Sequence, residues 1–254
     1  MTHELVVCIT GASGGIGQAL AREFHGRGNH VILVGRNLEK LAAVQCELGE
    51  SRTTLLALDV TQPEAIAEAL ANLHVDVLVN NAGVAISSAL LKGGDLYRKH
   101  MDVNFHGPRL MMEALLPGMI ERGSGVVIQI ASSAALEGYA YTAAYAASKH
   151  ALLGYTRSAA LELGRKGIRF QTLCPHFVDS PMTDQSVARI QETTGLSESD
   201  ARARLAGMNP DGELVQPEQI AQVAAEGIVI TSPHVIWELT GSQVCDVSDP
   251  TPNQ

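Results

Sequence analysis

Tyr145 and Lys149 stand four residues apart in the stretch YAASK, with only small residues between them. On a helix, positions four apart lie on one face, one turn from each other. A free phenol and a free ammonium each hold a proton to about pH 10. Held close together, the cation favours the phenolate, so the spacing predicts a tyrosine of lowered pKa that can give and take a proton. The alternative is two surface residues on an ordinary helix. A tyrosine four residues before a lysine is a common pattern, so the choice rests on what else the chain brings to the same place.

A second pattern is TGASGGIG, Thr10 to Gly17, directly after the apolar run LVVCIT. Gly11 is expected to permit a tight turn, Gly15 a close backbone approach to a pyrophosphate, and Gly17 tight packing of the following helix. The N–H groups at that helix's start would face the anion. A glycine loop between a first strand and its helix points to a dinucleotide. The next apolar run ends at Gly35-Arg36, without the acid that NAD-binding proteins usually place there for the ribose hydroxyls. Arg36 can grip a 2′-phosphate bidentately. This predicts NADP(H) as the preferred cofactor with NAD(H) still open. The alternative for Arg36 is a solvated residue at the start of a helix.

The elements that must hold these residues are legible as short β-branched runs alternating with longer helical stretches. Strands are expected at Leu5–Thr10, Val31–Gly35, Thr54–Asp59, Val75–Gly83, Gly125–Ser133, Ile168–Pro175 and Gly241–Val247. The runs are continuously apolar, as in strands buried on both faces of a parallel sheet. The fold expected is therefore α/β: a Rossmann-like, doubly wound parallel sheet of about seven strands with helices on both faces. No linker or internal repeat divides the chain, so residues 1–254 are read as a single dinucleotide-binding oxidoreductase domain. Between about 178 and 212 the sequence is polar and helical with no strand. It is read as a substrate lid, because open α/β sheets bind ligands at their carboxyl edge. The end from Ser248, SDPTPNQ, is expected to fray.

Composition narrows the partners. The chain has 254 residues, 46% of them apolar but only 4% aromatic, so the core is built from Ala, Val, Leu and Ile. A formal charge of −9 and the lack of any Lys/Arg-rich run speak against nucleic acid or an anionic membrane. Cys8, Cys46, Cys174 and Cys245 form no C-x-x-C pair, and the nine histidines no metal-ligand pair, so no metal site is expected and the thiols are read as buried and reduced. The N-terminal MTHELVVCITGAS lacks the basic region of a signal peptide, and no apolar run approaches a membrane span. A cytoplasmic protein is expected.

TGASGGIG, NNAG (Asn80–Gly83), Asn104 in VNFHG, Ser132 and YAASK follow one another in order, and Ser132 lies thirteen residues before Tyr145. This set resembles the compact, single-domain branch of the short-chain dehydrogenase/reductase family over almost the full chain. The resemblance implies that Tyr145 protonates a carbonyl oxygen during ketone reduction, or acts as base in alcohol oxidation. It implies that Lys149 lowers the pKa of Tyr145 and binds the nicotinamide ribose. Ser132 would bond the same substrate oxygen, with Ser133 the alternative. Asn104 would hold a water linking Lys149 to solvent. The implied cofactor contacts are Gly11, Ser13, Gly15, Ile16, Gly17, Arg36, Asp59, Val60, Asn81, Tyr145, Lys149, Val178 and Ser180. A small carbonyl or alcohol substrate and a homo-oligomer, tetramer or dimer, are implied as well. The helix Ala143–Leu163 fits that, being small and apolar around most of its circumference.

Where the family usually reads Pro-Gly after the sixth strand, this chain has Pro175-His176. His176 is expected to point to solvent; the alternative is a polar contact in the substrate pocket. Ser180 replaces a threonine, Gly14 stands where many NADP-preferring relatives carry a basic residue, and VCDVSDP lacks paired glycines. Three functions remain in view: a reductase of 3-oxoacyl thioesters, a reductase or dehydrogenase of a free steroid, terpene or aromatic ketone or alcohol, and a non-catalytic cofactor-binding regulator. The thioester reading draws on Ser199–Ala221 and on Arg189, Arg202 and Arg204. The regulator predicts loss of Ser132, Tyr145 or Lys149, all of which are present.

Overall fold

Alternate residues of a strand face opposite sides of its sheet, so a continuously apolar strand needs helices over both. The computed structural model, which describes residues 4–248, has that arrangement. Its strands are β1 (Val6–Thr10), β2 (His30–Gly35), β3 (Thr53–Ala57), β4 (Val77–Asn80), β5 (Gly125–Ile130), β6 (Ile168–Pro175), β7 (His234–Leu239) and β8 (Val244–Asp246). They form one sheet in the order β3-β2-β1-β4-β5-β6-β7-β8. All neighbours are parallel except β7 and β8.

The helices are α1 (Gly15–Gly26), α2 (Leu38–Leu48), α3 (Pro63–Leu70), α4 (Leu96–Met101), α5 (Gly107–Arg122), α6 (Ala143–Leu163), α7 (Pro181–Thr194), α8 (Glu198–Ala206) and α9 (Pro217–Glu226). Val7, Ile9, Val31 and Leu33 pack on one face against α1, α2 and α9. Cys8, Ile32, Val34 and Leu78 pack on the other against α3, α5 and α6. Full burial of a side chain such as Phe24 contributes roughly 1.5–3 kcal/mol, and some dozens of these close the sheet on both sides.

Eight strands are found where about seven are expected. The one not foreseen is β7: HVIWEL mixes His, Trp and Glu with its apolar residues, and it carries the antiparallel β8 on its far side. Several expected strands are too long: that at Thr54–Asp59 ends at Ala57, that at Gly241–Val247 shrinks to Val244–Asp246, and β4 and β5 are cut short at the site. β4 stops at Asn80 because Asn81 turns away to bond the β1 loop, and β5 stops at Ile130 because Ser132 caps a short turn at Ser133–Ala135. The helix Ala143–Leu163 has the bounds expected, but His150, Gly154 and Leu161 on its outer side are exposed in the single chain. Cys46 and Cys245 are likewise exposed, where buried thiols are expected; none of the four cysteines is bonded to another. Apart from Ser248, whose hydroxyl accepts from the Ile236 N–H, the end expected to fray lies outside the described residues.

One helical irregularity positions the site. Between α4 and α5 the chain makes a five-residue π-turn, Asp102–His106, so that Leu96–Arg122 runs on with one wide turn in it. Such turns are frequent at functional sites. Asn104 sits inside this one. Among the described residues no helix is long and apolar enough to cross a membrane.

Candidate active site

Strand order reverses between β1 and β4, which leaves a crevice beyond the carboxyl ends of the strands. A cleft of about 700 Å³ opens there. Gly11, Ser13, Gly15, Ile16, Gly17, Arg36, Asp59, Val60, Asn81, Ser132, Tyr145, Lys149, Val178 and Ser180 all line it. Asn104 alone of the expected residues lies behind the wall, fully buried.

The glycine loop fits a dinucleotide's anionic centre. Gly11 takes φ +64°, and a Cβ on it would lie 2.9 Å from the Cα of Ala82. A Cβ on Gly17 would lie 2.1 Å from the Gly11 carbonyl oxygen, so the helix can start this close to the turn only with glycine there. At Gly15 the near neighbour is Pro181, 3.1 Å from a Cβ, which puts the segment after β6 against the loop. The N-cap of α1 is Gly14, with no side chain to occupy the helix's first N–H groups. Uncapped N–H groups at the end of a helix dipole suit a phosphate. Thr10 braces the turn: its hydroxyl accepts from the N–H groups of Asn81 and Ala82, both at 3.0 Å. The Asn81 amide donates to the carbonyls of Thr10 and Gly11, so this residue builds the cleft floor as well as lining it. Asp59 closes its turn on the backbone and hydroxyl of Thr61, and its second oxygen stands 4.0 Å from the largely exposed Arg36.

Across the cleft, Tyr145 comes from the first turn of α6 and Ser132 from the end of β5. The Ser132 hydroxyl is within hydrogen-bond reach of the Tyr145 phenol and accepts from the Ala134 N–H. Ser133 is buried and takes a bond from Tyr139 instead, so of the two serines it is Ser132 that meets Tyr145. The lowered tyrosine pKa expected from the spacing is not found. Burial raises the Tyr145 pKa and the Ser132 bond only partly opposes it. Lys149 turns its ammonium to the Ile130 carbonyl at 2.8 Å, 5.8 Å from the centre of the tyrosine ring. Burial pushes the Lys149 pKa down to about 8. Four residues of helix bring the two groups to one face, but the β5 carbonyl takes the nearest contact.

Asn104 is committed to backbone: Oδ1 accepts from Val84 N–H at 2.8 Å, and Nδ2 donates to the Val84 carbonyl and to Ser148. Both Asn104 and Lys149 close in on Gly83, where a Cβ would lie 3.3 Å from Asn104 Oδ1 and 3.9 Å from Lys149 Nζ. The π-turn thus fastens the loop after NNAG to α6. His100, not foreseen, does the same one turn earlier. Its Nδ1 donates to the Leu96 carbonyl and its Nε2 accepts from Ile86 N–H. Burial lowers its pKa, and its ring meets Tyr145 edge-on at 6.0 Å. A lone buried histidine in LYRKHM gives no sequence signal of this role.

His176 overturns the expectation that it points to solvent. It is 7% exposed, lines the cleft, and bonds Glu238 on β7 at 2.9 Å. It is not among the described residues with positive φ, so a side chain is tolerated where the family has glycine. Val178 is bridged to Val215, and Asn209 clamps Phe177 through both its N–H and its carbonyl, which fixes the chain entering α7. In the segment read as a lid, Arg189 of α7 donates to the Ser87 carbonyl across the cleft mouth at 2.6 Å. Arg202 of α8 pairs with Asp179 and Asp184. Two of the three arginines considered for a carrier are therefore already engaged within the chain.

Comparison with known proteins agrees with this geometry. Residues 5–191 match the family model described as short chain dehydrogenase. A Streptomyces coelicolor protein provisionally named a ketoacyl reductase is 34% identical over 230 residues, covering 87% of this chain and 88% of that protein. Among solved structures, a variant of actinorhodin polyketide ketoreductase with NADPH superposes with a TM-score of 0.88 at 30% identity, covering 94% of this chain and 96% of the other. The structure of ElxO with NADP bound gives 0.81 at 26% identity, over 94% and 98%.

Proposed function

The chain belongs to the short-chain dehydrogenase/reductase family, and we propose that it uses NADPH to reduce a ketone to a secondary alcohol, with Tyr145 as proton donor. The carrying observation is the meeting of Tyr145 and Ser132 on the cleft wall opposite an uncapped glycine loop. The NADP-bound and NADPH-bound relatives, and the basic Arg36 at the end of β2, support NADP(H) over NAD(H).

The glycine loop and the α1 N-terminus hold the pyrophosphate, Arg36 the 2′-phosphate, Asp59 and Val60 the adenine side, and Val178, Ser180 and Lys149 the nicotinamide end. When bound, the cofactor supplies the hydride. The chain's own task is the oxygen. Negative charge builds on the carbonyl oxygen as reduction proceeds, so the site needs a proton and hydrogen-bond donors aimed at that atom. Tyr145 Oη gives the proton and Ser132 Oγ donates a bond. The raised pKa of Tyr145 keeps the phenol protonated before the reaction, which is the state reduction requires. Lys149 sits behind it as a buried cation that eases loss of the proton. Asn104 holds the loop and helix in register for this through its bonds to Val84 and Ser148, and a water between Lys149 and solvent is read as its second task. Regenerating the phenol takes a proton through that route.

Within ketones, a 3-oxoacyl thioester is favoured by the ketoacyl reductase among the relatives. A free ketone is favoured by the engagement of Arg189 and Arg202, which leaves less positive charge for a carrier. The cleft, with α7 and α8 as its lid, is read as belonging to one domain, in a cytoplasmic homo-oligomer. Initial rates of NADPH oxidation with acetoacetyl-CoA and with ethyl acetoacetate test the substrate. A thioester rate well above the free ester's makes this a 3-oxoacyl reductase, and the reverse excludes it. The cofactor is tested by Arg36→Asp, expected to lower the NADPH-to-NADH affinity ratio by at least tenfold; an unchanged ratio removes Arg36 from the phosphate site.

A further inference from the structure

The position after β6 carries a polar device that the proton chemistry at Tyr145 does not use. The β6 ladder continues one residue further, through His176 N–H to the Leu239 carbonyl, so His176 stands on rigid sheet and not on a loose turn. Its ring is buried in the cleft wall. Nε2 lies 2.9 Å from a carboxylate oxygen of Glu238. A carboxylate only accepts, so Nε2 carries a proton, and in the neutral ring the lone pair is on Nδ1.

The protein offers Nδ1 no good donor. Among the described residues its one hydrogen-bonding neighbour is the Tyr139 hydroxyl at 3.4 Å, at the limit of a hydrogen bond. That phenol has a single proton, and two acceptors lie nearer: Glu137 at 2.5 Å and Ser133 at 2.9 Å. An acceptor held only by so long a contact is open to a stronger donor from a ligand. Both His176 and Tyr139 line the same cleft as Ser132 and Tyr145. Phe177 meets the Tyr139 ring edge-on at 6.4 Å and adds an apolar surface. Two carboxylates, Glu137 and Glu238, back the pair, which disfavours an anionic ligand group there.

We propose that His176 and Tyr139 form a second polar contact in the cleft, where His176 Nδ1 accepts a hydrogen bond from an uncharged hydroxyl that the substrate carries apart from its reacting carbonyl. The preferred substrates are thus hydroxylated ketones. The proposal rests on the reading of this cleft as a ketone reductase. A purely architectural role, pinning the ends of β6 and β7 together, would leave substrate preference untouched.

The test compares hydroxyketones of four to six carbons, bearing a terminal hydroxyl, with their parent 2-ketones. The readout is the ratio of kcat/KM with NADPH. For at least one chain length the wild-type ratio favours the hydroxyketone by about tenfold, the worth of one hydrogen bond. In His176→Phe the ratio falls to about one by the same reasoning, and in His176→Gln, which keeps an acceptor, part of it returns. A wild-type ratio near one at every length, or a ratio unmoved by His176→Phe, overturns the proposal. Should His176→Phe fail to fold, Glu238→Met, which leaves Nε2 without its acceptor and so removes the lock on the tautomer, must lower the ratio; an unchanged ratio there also overturns it. A second readout needs no turnover. In histidine-¹⁵N-labelled protein saturated with NADP⁺, the hydroxyketone shifts the His176 Nδ1 resonance and the parent ketone does not. No shift overturns the contact. Absence of turnover with every ketone defeats the reductase reading instead, and the resonance still decides the role of His176.

Discussion

At the scale of the residue, the decisive facts are where protons sit. The four-residue spacing of Tyr145 and Lys149 was legible in the sequence; the electrostatics were not, because a spacing carries no information about burial. Lys149 is buried with its pKa near 8, against about 10.5 when unfolded. Between those values the unfolded chain binds more protons than the folded one, so the lysine makes stability rise with pH through that window. The wild type should gain roughly 2–3 kcal/mol over Lys149→Met between pH 8 and pH 10. Urea unfolding of both proteins at pH 8, 9 and 10 checks this, and a constant difference would show that the ammonium is not desolvated. His176 teaches the same lesson. Sequence showed an unusual residue after Pro175, but only the neighbouring strand, itself hidden in the mixed pattern HVIWEL, supplies the Glu238 that draws the ring inward.

At the scale of the element, glycines set how closely pieces approach. Gly17→Ala would push a Cβ into the backbone of Gly11 and Ala12, neither of which is a flexible end. It is expected to destabilise by about 1–3 kcal/mol and to weaken NADPH binding, because the same turn holds the phosphates. Gly26→Ala, on the last turn of the same helix with open space around it, is expected to be neutral or to gain up to about 1 kcal/mol. Unfolding curves and fluorescence titration with NADPH read both; equal effects of the two would contradict the packing argument. The roles of Gly11 and Gly17 were legible because their position after a first strand has one physical use. Asn104 was legible as a residue of interest, but its π-turn was not, since helical periodicity hides one extra residue in a turn. The side-chain bonds of His100 to Ile86 and of Asn209 to Phe177 left no pattern to read at all.

At the scale of the molecule, the order of strands creates the crevice; continuous apolar runs announced a doubly wound parallel sheet, but not which strands are neighbours in it. Nor could they announce a surface: helix α6 looked apolar all round, yet in the single chain Leu161 is 77% exposed. We propose that a second copy covers this face. Light scattering is expected to give a mass that is a multiple of 26.9 kDa, reduced by Leu161→Glu; a wild-type monomer contradicts the oligomer. The whole fold is read here as an apparatus for giving one proton to one oxygen beside a bound cofactor. The most direct test is Tyr145→Phe, measured for NADPH affinity and for ketone turnover in the same preparation. Cofactor affinity should stay within a few-fold while kcat/KM falls by at least about 10²-fold, the usual worth of a placed general acid. Near-normal turnover in that variant would contradict the account, because it would leave Tyr145 with no part in the reaction.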